Sequence, residues 1–185
     1  KEMVKYFISK SYDSKVVKPK VSICVPSAVT GIEENAVVDA AISSGARQVL
    51  LLEEPIAAAI GAGLDIMKAN GNMIVDIGGG TTDIAVISLG GIVCSKSIKL
   101  AGNAIDKEIV KLLKNKYNFL VGQKTAQQLK HAVADCIPTE ENNRTFEVKG
   151  INLLKGLPGK LTVSTFDLQP VITPVLEEYV TAVKN

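Results

Sequence analysis

A carboxylate, three consecutive glycines and two threonines follow one another near the middle of the sequence, as DIGGGTTD over residues 76–83. Glycines let backbone N–H groups close on phosphate oxygens, and threonine hydroxyls add hydrogen-bond donors. The carboxylate of Asp76 is suited to a hydrated Mg²⁺, a cation that prefers oxygen ligands. The stretch predicts a polyphosphate-binding loop, with an ordinary glycine turn beside an incidental aspartate as the alternative.

The residues that follow the glycines distinguish the kind of phosphate site. A Rossmann or P-loop fingerprint opens a helix, and neither G-x-G-x-x-G nor a G-K-[S/T] ending is present. Residues 82–88 instead alternate like a strand, and residues 73–76 before the glycines are also strand-like. We therefore expect a phosphate hairpin between two strands and not a site at the N-terminus of a helix.

A second carboxylate, Glu54, follows an apolar strand predicted at residues 48–52. Pro55 suits the first turn of a short helix, so Glu54 would lie where strand and helix meet. A carboxylate at that point could orient a water molecule toward a terminal phosphate. The alternative is that Glu53 and Glu54 form a solvated helix start.

Strands and helices alternate in the first part of the sequence, which predicts an α/β layer. Residues 21–25 form a β-branched strand, and Thr30 and Glu33 have the spacing of a capping box for the helix that follows and that ends before Gly45. Residues 92–99 add a third strand to the glycine hairpin. Residues 103–116 have the apolar spacing of an amphipathic helix.

The second part of the sequence predicts a small α+β region. A helix at residues 125–136 would be capped by Thr125 and Gln128. Strands are predicted at residues 145–148 and 160–163, and Lys149 and Gly150 would form a turn after the first of them. Residues 166–183 have a helical pattern.

Composition excludes several classes of protein. The 185 residues are 46% hydrophobic and 22% charged, as in an ordinary globular protein and unlike a disordered one. The longest uncharged apolar stretch, residues 56–64, is far shorter than the ~20 residues that span a bilayer. A net charge of +2 argues against nucleic acid as a partner. Three separated cysteines and one histidine predict reduced core thiols in a cytosolic protein and no zinc site.

Four blocks of sequence, VSICVPSAVT, LLEEPIAAAIGAGLD, NMIVDIGGGTTDIAVISLGGIVCSKSIKLAG and GLPGKLTV, resemble the MreB family of bacterial actin homologues. That family belongs to the actin, sugar-kinase and heat-shock-chaperone ATPase superfamily, and the resemblance extends over nearly the whole chain. It implies a partial actin-like (ribonuclease H-like) α/β fold with a small α+β inserted subdomain.

The resemblance also implies how the chain is divided. Residues 1–70 would form the C-terminal part of a first lobe, and residues 71–116 the core of a second lobe with its phosphate hairpin. Residues 117–165 would form the small outer subdomain, and residues 166–185 the returning helix of the second lobe. The family's first phosphate hairpin and its adenosine motif are not found. We therefore expect this chain alone to bind ATP weakly or not at all and to be inactive as an ATPase. We also expect it to self-associate or to be poorly soluble.

The activity implied by the resemblance is ATP hydrolysis with Mg²⁺. Glu54 would position the attacking water, Thr81 would assist hydrolysis, and Asp76 would reach the metal through water. The β- and γ-phosphates would be held by the loop residues Gly78, Gly79, Gly80, Thr81 and Thr82. Asp83 and Asn103 differ from the Glu and Asp that are usual in the family.

The resemblance further implies ATP-dependent filaments in the cytoplasm at the inner face of the cell membrane, in rod-shaped cells. The partners would be other copies of the protein, the membrane surface, and cell-wall synthesis and morphogenesis proteins. Val16 and Val17, flanked by Lys15 and Lys18, would contact the membrane, because basic residues beside an apolar pair suit anionic lipids. The alternative for these residues is a solvated lysine-rich loop.

Two other classes share some of these motifs. DIGGGTTD and EEPIAAAIGAGLD are compatible with the ATPase lobe of a heat-shock-type chaperone, and a sugar or acetate kinase is a further alternative. The ISLGGIV and GLPGKL blocks and the compact insert favour the MreB family over both.

Overall fold

The computed structural model describes residues 1–12, 17–27 and 29–184. The described helices are α1 (Glu2–Ser11), α2 (Gly31–Ser43), α3 (Glu54–Gly61), α4 (Gly102–Tyr117), α5 (Gln123–Val133) and α6 (Thr165–Lys184). The described strands are β1 (Lys20–Val25), β2 (Gln48–Glu53), β3 (Asn72–Ile77), β4 (Thr82–Ser88), β5 (Gly91–Ile98), β6 (Phe119–Leu120), β7 (Thr145–Asn152) and β8 (Leu157–Ser164). Among these residues, no helix has both the length and the apolar character needed to cross a membrane.

The chain forms two compact units. Unit 1 consists of residues 1–76 and 83–97, and unit 2 of residues 77–82 together with the residues from Ile98 onward. The glycine loop therefore belongs to unit 2, whereas most residues of β3 and β4, the strands on either side of it, belong to unit 1. The division into lobes and subdomains that the sequence suggests stays a prediction.

After α1, unit 1 continues with a strand, a helix and a second strand. β1 and β2 are parallel, with Lys20 opposite Gln48 and Val25 opposite Glu53, and α2 forms the crossover that parallel neighbours require. The predicted capping box is confirmed: the Glu33 N–H donates to Thr30 Oγ1 at 3.4 Å, and the Thr30 N–H donates to Glu33 Oε2 at 2.9 Å. α1, which the sequence did not predict, buries none of its residues.

The second sheet has the order β3-β4-β5, so β4 lies in the middle and is the most buried of the three strands. A small apolar cluster joins this sheet to α3, with Ala59, Ile66 and Ile87 buried. The predicted strands at residues 73–76, 82–88 and 92–99 and the short helix at Pro55 are confirmed, with shifts of one or two residues at their ends.

Unit 2 packs α4, α5 and α6 with the antiparallel sheet β6-β7-β8. Its core is formed by the buried residues Ile109, Leu113, Phe119, Val121, Ala126, Leu129, Val133, Val148, Val163, Leu168, Val171 and Ile172. α6 keeps Pro170 and Pro174 inside a helix of 20 residues.

The turn predicted at Lys149 and Gly150 is wrong. β7 runs through both residues, with Lys149 opposite Lys160 and Gly150 opposite Gly159. A Cβ at Gly150 would clash with the Leu120 carbonyl and would lie 2.7 Å from the Phe119 ring. The glycine is therefore explained by close packing within the sheet and not by a change of chain direction.

Two further expectations fail for local reasons. α5 begins at Gln123 after Gly122 and has no side-chain cap, so Thr125 and Gln128 already lie inside the helix. The three cysteines are free but exposed, and not buried as predicted. Cys24 lies at an exposed position of the alternating strand β1, Cys94 lies on the outer strand β5, and Cys136 lies beyond the end of α5.

Candidate functional site

The glycine loop between β3 and β4 is held by hydrogen bonds within unit 2. The Gly78 N–H donates to the Thr81 carbonyl at 2.9 Å, which closes a tight turn. The Gly78 carbonyl accepts from the Gly102 N–H at 3.1 Å, and the Gly79 carbonyl accepts from the Asn103 N–H at 2.8 Å. The loop carbonyls are thus tied to the first turn of α4, and the loop has a defined conformation.

The same loop leaves backbone donors available. In the described part of the chain, no turn or loop hydrogen bond uses the N–H groups of Gly79, Gly80 or Thr81. All three residues are exposed, and a Cβ at Gly80 would have no atom within 4 Å. Successive N–H groups in a turn form an anion-binding concavity. The loop therefore fits the phosphate groups that the sequence predicts for it.

The two threonines of the loop differ in their surroundings. Thr82 is fully buried, and its hydroxyl donates to the Leu100 carbonyl at 2.7 Å. Thr81 is exposed beside the glycines. Of the two hydroxyls predicted to contact phosphate, that of Thr82 already has a partner inside unit 2, whereas Thr81 lies at an exposed position.

Asn103 lies against the loop at the beginning of α4. A Cβ placed on Gly79 would lie 3.5 Å from Asn103 Nδ2, so the amide side chain borders the glycines. An aspartate at this position would place a negative charge beside the loop. The neutral amide of this chain avoids the repulsion that a carboxylate would exert on a bound phosphate.

The predicted carboxylates, Glu54 and Asp76, occur in unit 1 together with Asp83. Glu54 is half-buried in the first turn of α3, Asp76 is exposed near the end of β3, and Asp83 is buried in β4. Burial raises the pKa of Glu54, and the charges of Asp83 and Asp76 raise it further. A carboxylate with a raised pKa is a better proton acceptor, which suits a group that orients a water molecule.

Asp76 is the residue that the sequence predicts to reach a metal ion. Among the residues that the structure describes, no three His, Cys, Asp or Glu side chains are placed to hold a metal ion together. Mg²⁺ commonly keeps several waters and is bound by one or two carboxylates and by substrate phosphates. Exposed Asp76 fits that water-mediated arrangement, and a site built only from protein ligands does not fit.

One contributor to the loop's surroundings was not found from the sequence. Lys130 of α5 donates through Nζ to the Gly102 carbonyl at 2.9 Å, so it reaches the same first turn of α4 that holds the loop. The available signal was its position on the apolar face of α5, four residues after Ala126 and three before Val133. A lysine on such a face commonly has a buried partner.

The predicted membrane-contact residues are only partly described. Val17 is exposed, and Val16 lies outside the described residues. Contact of this segment with lipid stays a prediction.

The fold resembles solved actin-like proteins. MreB5 of Spiroplasma citri bound to ADP matches with a TM-score of 0.91 and 36% identity, over 98% of this chain and 54% of that one. The AMPPNP complex of the same protein matches with a TM-score of 0.88 and 33% identity, over 100% of this chain and 58% of that one. The MamK double helical filament, at 20% identity and a TM-score of 0.72, shares the fold over 99% of this chain and 55% of its own. This chain thus has part of an actin-like α/β fold.

Sequence comparison gives the family. A family model for MreB/Mbl protein matches residues 1–185. The cell shape-determining protein Mbl of Bacillus subtilis (strain 168) is 42% identical over 99% of this chain and 55% of its own length. The cell shape-determining protein MreB of Escherichia coli (strain K12) is 40% identical over 98% and 53%. The chain belongs to the MreB/Mbl family, as its motifs suggested, and it spans about half the length of these relatives.

Proposed function

We propose that this chain is the part of an MreB-type cytoskeletal ATPase that holds the β- and γ-phosphates of ATP. The whole protein would polymerise with ATP into filaments at the cytoplasmic face of the membrane, and would direct rod shape through cell-wall synthesis and morphogenesis proteins. The relatives named as cell shape-determining and the nucleotide-bound MreB5 structures support this proposal.

The observation that carries the proposal is the geometry of the glycine loop. Two of its carbonyls are tied to α4, while the N–H groups of Gly79, Gly80 and Thr81 are exposed and used by no turn or loop bond of the described chain. Such fixed donors need little reorganisation to bind an anion. The exposed hydroxyl of Thr81 would add a further donor to the same phosphate groups.

Each carboxylate of unit 1 has a separate part in the proposed hydrolysis. Glu54 would accept a hydrogen bond from the attacking water and hold its oxygen for in-line attack, and its raised pKa would strengthen this interaction. Asp76 would accept hydrogen bonds from waters on Mg²⁺. When bound, Mg²⁺ neutralises charge on the phosphate oxygens.

ATP hydrolysis by the full-length protein that contains this chain tests the role of Glu54. Glu54→Gln keeps the size of the side chain but removes its negative charge, and we expect the turnover number to fall about a hundredfold or more, with little change in nucleotide affinity. Glu53→Gln is the matched control, because Glu53 is exposed and its side chain makes no cap hydrogen bond. Equal activity of the two variants would contradict the proposed role.

Assembly and membrane association need their own experiments. Light scattering of the full-length protein should rise when ATP is added, and Glu54→Gln should slow the later decline if hydrolysis limits filament lifetime. Absence of any nucleotide-dependent assembly would count against a filament protein.

Co-sedimentation with anionic liposomes should weaken in the double variant Val16→Ser and Val17→Ser, and unaltered binding would exclude these valines as the membrane contact.

A further inference from the structure

The most buried ion pair in the described chain joins α5 to α4. Lys130 Nζ lies 2.8 Å from Asp106 Oδ1, and the side chains are 14% and 2% exposed. The other described ion pairs all have at least one side chain that is about half exposed. A buried pair adds little net stability compared with apolar residues of similar size, so the particular arrangement that it fixes is the property to explain.

The pair leads directly to the glycine loop. Lys130 Nζ also donates to the Gly102 carbonyl at 2.9 Å, while the Gly102 N–H donates to the Gly78 carbonyl and the Asn103 N–H donates to the Gly79 carbonyl. A Cβ on Gly102 would lie 3.1 Å from Lys130 Nζ and 3.5 Å from the Gly78 carbonyl oxygen. Gly102 is therefore held closely between the ammonium group and the loop.

We propose that Lys130 is a positioning residue, which fixes the glycine loop by holding the first turn of α4. Asp106, whose Oδ1 lies 2.8 Å from Lys130 Nζ, attracts the ammonium group and helps to hold it at the Gly102 carbonyl. One consequence of this inference rests on the proposed function. If the loop binds the phosphates of a nucleotide, α5 sets the affinity of that binding. Lys130 contacts no phosphate in this role, because its ammonium group is already engaged behind the loop.

A double variant separates positioning from simple packing. Lys130→Met with Asp106→Leu replaces the buried pair by apolar side chains, a change that commonly leaves stability unaltered. The contact with the Gly102 carbonyl is nevertheless lost. If the pair serves only for packing, the loop of this variant should be as ordered as in the wild type. If Lys130 positions the loop, the variant should be stable but its loop should be less ordered.

Amide hydrogen exchange by NMR, without nucleotide, gives the primary readout. In the double variant we expect Gly102 and Asn103 to exchange about ten- to a hundredfold faster than in the wild type, the factor expected for a lost charge-assisted hydrogen bond. Core amides such as Leu113 should exchange at wild-type rates. Wild-type protection of Gly102 and Asn103 would overturn the proposal.

A milder variant keeps the test decisive if the double variant does not fold. Lys130→Gln retains a hydrogen-bond donor on a shorter, neutral side chain, and we expect it to accelerate exchange of Gly102 and Asn103 by roughly three- to tenfold. Unchanged exchange in this variant would also overturn the proposal. Lys111→Ala is the matched control. It removes an exposed ion pair with Glu108 on α4, the helix that contains Gly102 and Asn103, and should leave the exchange of both amides unaffected.

A titration with ADP tests the consequence for nucleotide binding. Chemical shifts of the Gly79 and Gly80 amides detect even millimolar affinity, and we expect the dissociation constant to rise roughly five- to a hundredfold in the double variant, a usual range for coupling between sites. An unchanged dissociation constant would reject the coupling. If the wild-type loop shows no shifts with ADP even in the full-length protein that contains this chain, the proposed phosphate site fails, while the exchange rates still decide the positioning role.

Discussion

The two units bury apolar side chains to very different extents. In unit 2, Ile109, Leu113, Leu129 and Leu168 are fully buried in one core formed by three helices and a sheet. In unit 1, the described core cluster consists of Ala59, Ile66 and Ile87, and α1 buries no residue.

The candidate functional residues are distributed over both units. The glycine loop, whose N–H groups must keep fixed directions, belongs to the well-packed unit 2, and the carboxylates Glu54 and Asp76 belong to unit 1. Regions with few buried apolar contacts open locally at a lower free energy than dense cores. We therefore expect amide protection to be lower in unit 1 than in unit 2, apart from the amides of its central strand β4.

The largest effect should come from the core of unit 2. Leu113→Ala removes a fully buried side chain and should lower the free energy of unfolding by about 2–5 kcal/mol. Leu50→Ala in unit 1 is the matched control, because Leu50 is 57% exposed, and it should change stability by less than about 0.5 kcal/mol. Urea denaturation followed by circular dichroism measures both, and similar losses would contradict the contrast in packing.

Glycine substitutions should show the next largest difference. Gly150→Ala places a Cβ against the Phe119 ring and the Leu120 carbonyl, and should destabilise unit 2 by about 1–3 kcal/mol. Gly31→Ala in α2 meets no atom within 4 Å and should be neutral or stabilising by up to about 1 kcal/mol. If Gly150→Ala were neutral in the same denaturation experiment, close packing within β7 would not explain this glycine.

The pH dependence of stability should reveal Asp167 in unit 2. Burial acts to raise the pKa of Asp167, but hydrogen bonds from Tyr117, the Ser164 N–H and hydroxyl, and Lys116 outweigh it and hold the pKa well below its usual range. The stabilisation is thus complete above the unfolded-state pKa of about 3.9 and is lost as the pH falls toward the folded-state value.

Replacing Asp167 tests that assignment. Asp167→Asn should lower the free energy of unfolding at neutral pH by about 1–2 kcal/mol, and should flatten its decline below about pH 4. Denaturation series at several pH values measure both quantities. A variant that keeps the wild-type pH dependence would show that other carboxylates cause the acid sensitivity.

The smallest predicted effect compares two threonines in similar sequence patterns. Thr30→Ala in unit 1 removes a capping box and should destabilise α2 by about 1 kcal/mol. Thr125→Ala lies inside α5, where the structure shows no side-chain cap, and should change stability by less than about 0.5 kcal/mol. Equal losses, measured by thermal denaturation, would mean that Thr125 caps α5 after all.

The success of sequence-based prediction depended on how local the determining contacts are. The capping box of Thr30 and Glu33 involves neighbours in sequence, so its pattern was sufficient, and alternation identified β4 with correct ends. Thr125 and Gln128 have a similar pattern, but α5 starts at Gln123. Gly150 was wrongly assigned to a turn. The contact that explains this glycine is with the Phe119 ring, which is 31 positions away along the chain.

The candidate site shows the same limit. The glycine motif marked the loop, because its glycines and threonines are neighbours in the sequence. That the loop is held from α4, and that Lys130 reaches Gly102, depends on contacts between separate elements, which spacing alone does not encode.

The prolines of α6 have a consequence for the order of folding. Pro170 and Pro174 have no N–H to donate, so the carbonyls four residues before them lose their usual helical partner, and each interior proline costs about 3 kcal/mol in an isolated helix. We therefore expect α6 to become helical only when Leu168, Val171 and Ile172 enter the core. During synthesis, the glycine loop leaves the ribosome long before α6, so we expect its support from unit 2 to be completed only after α6 has docked.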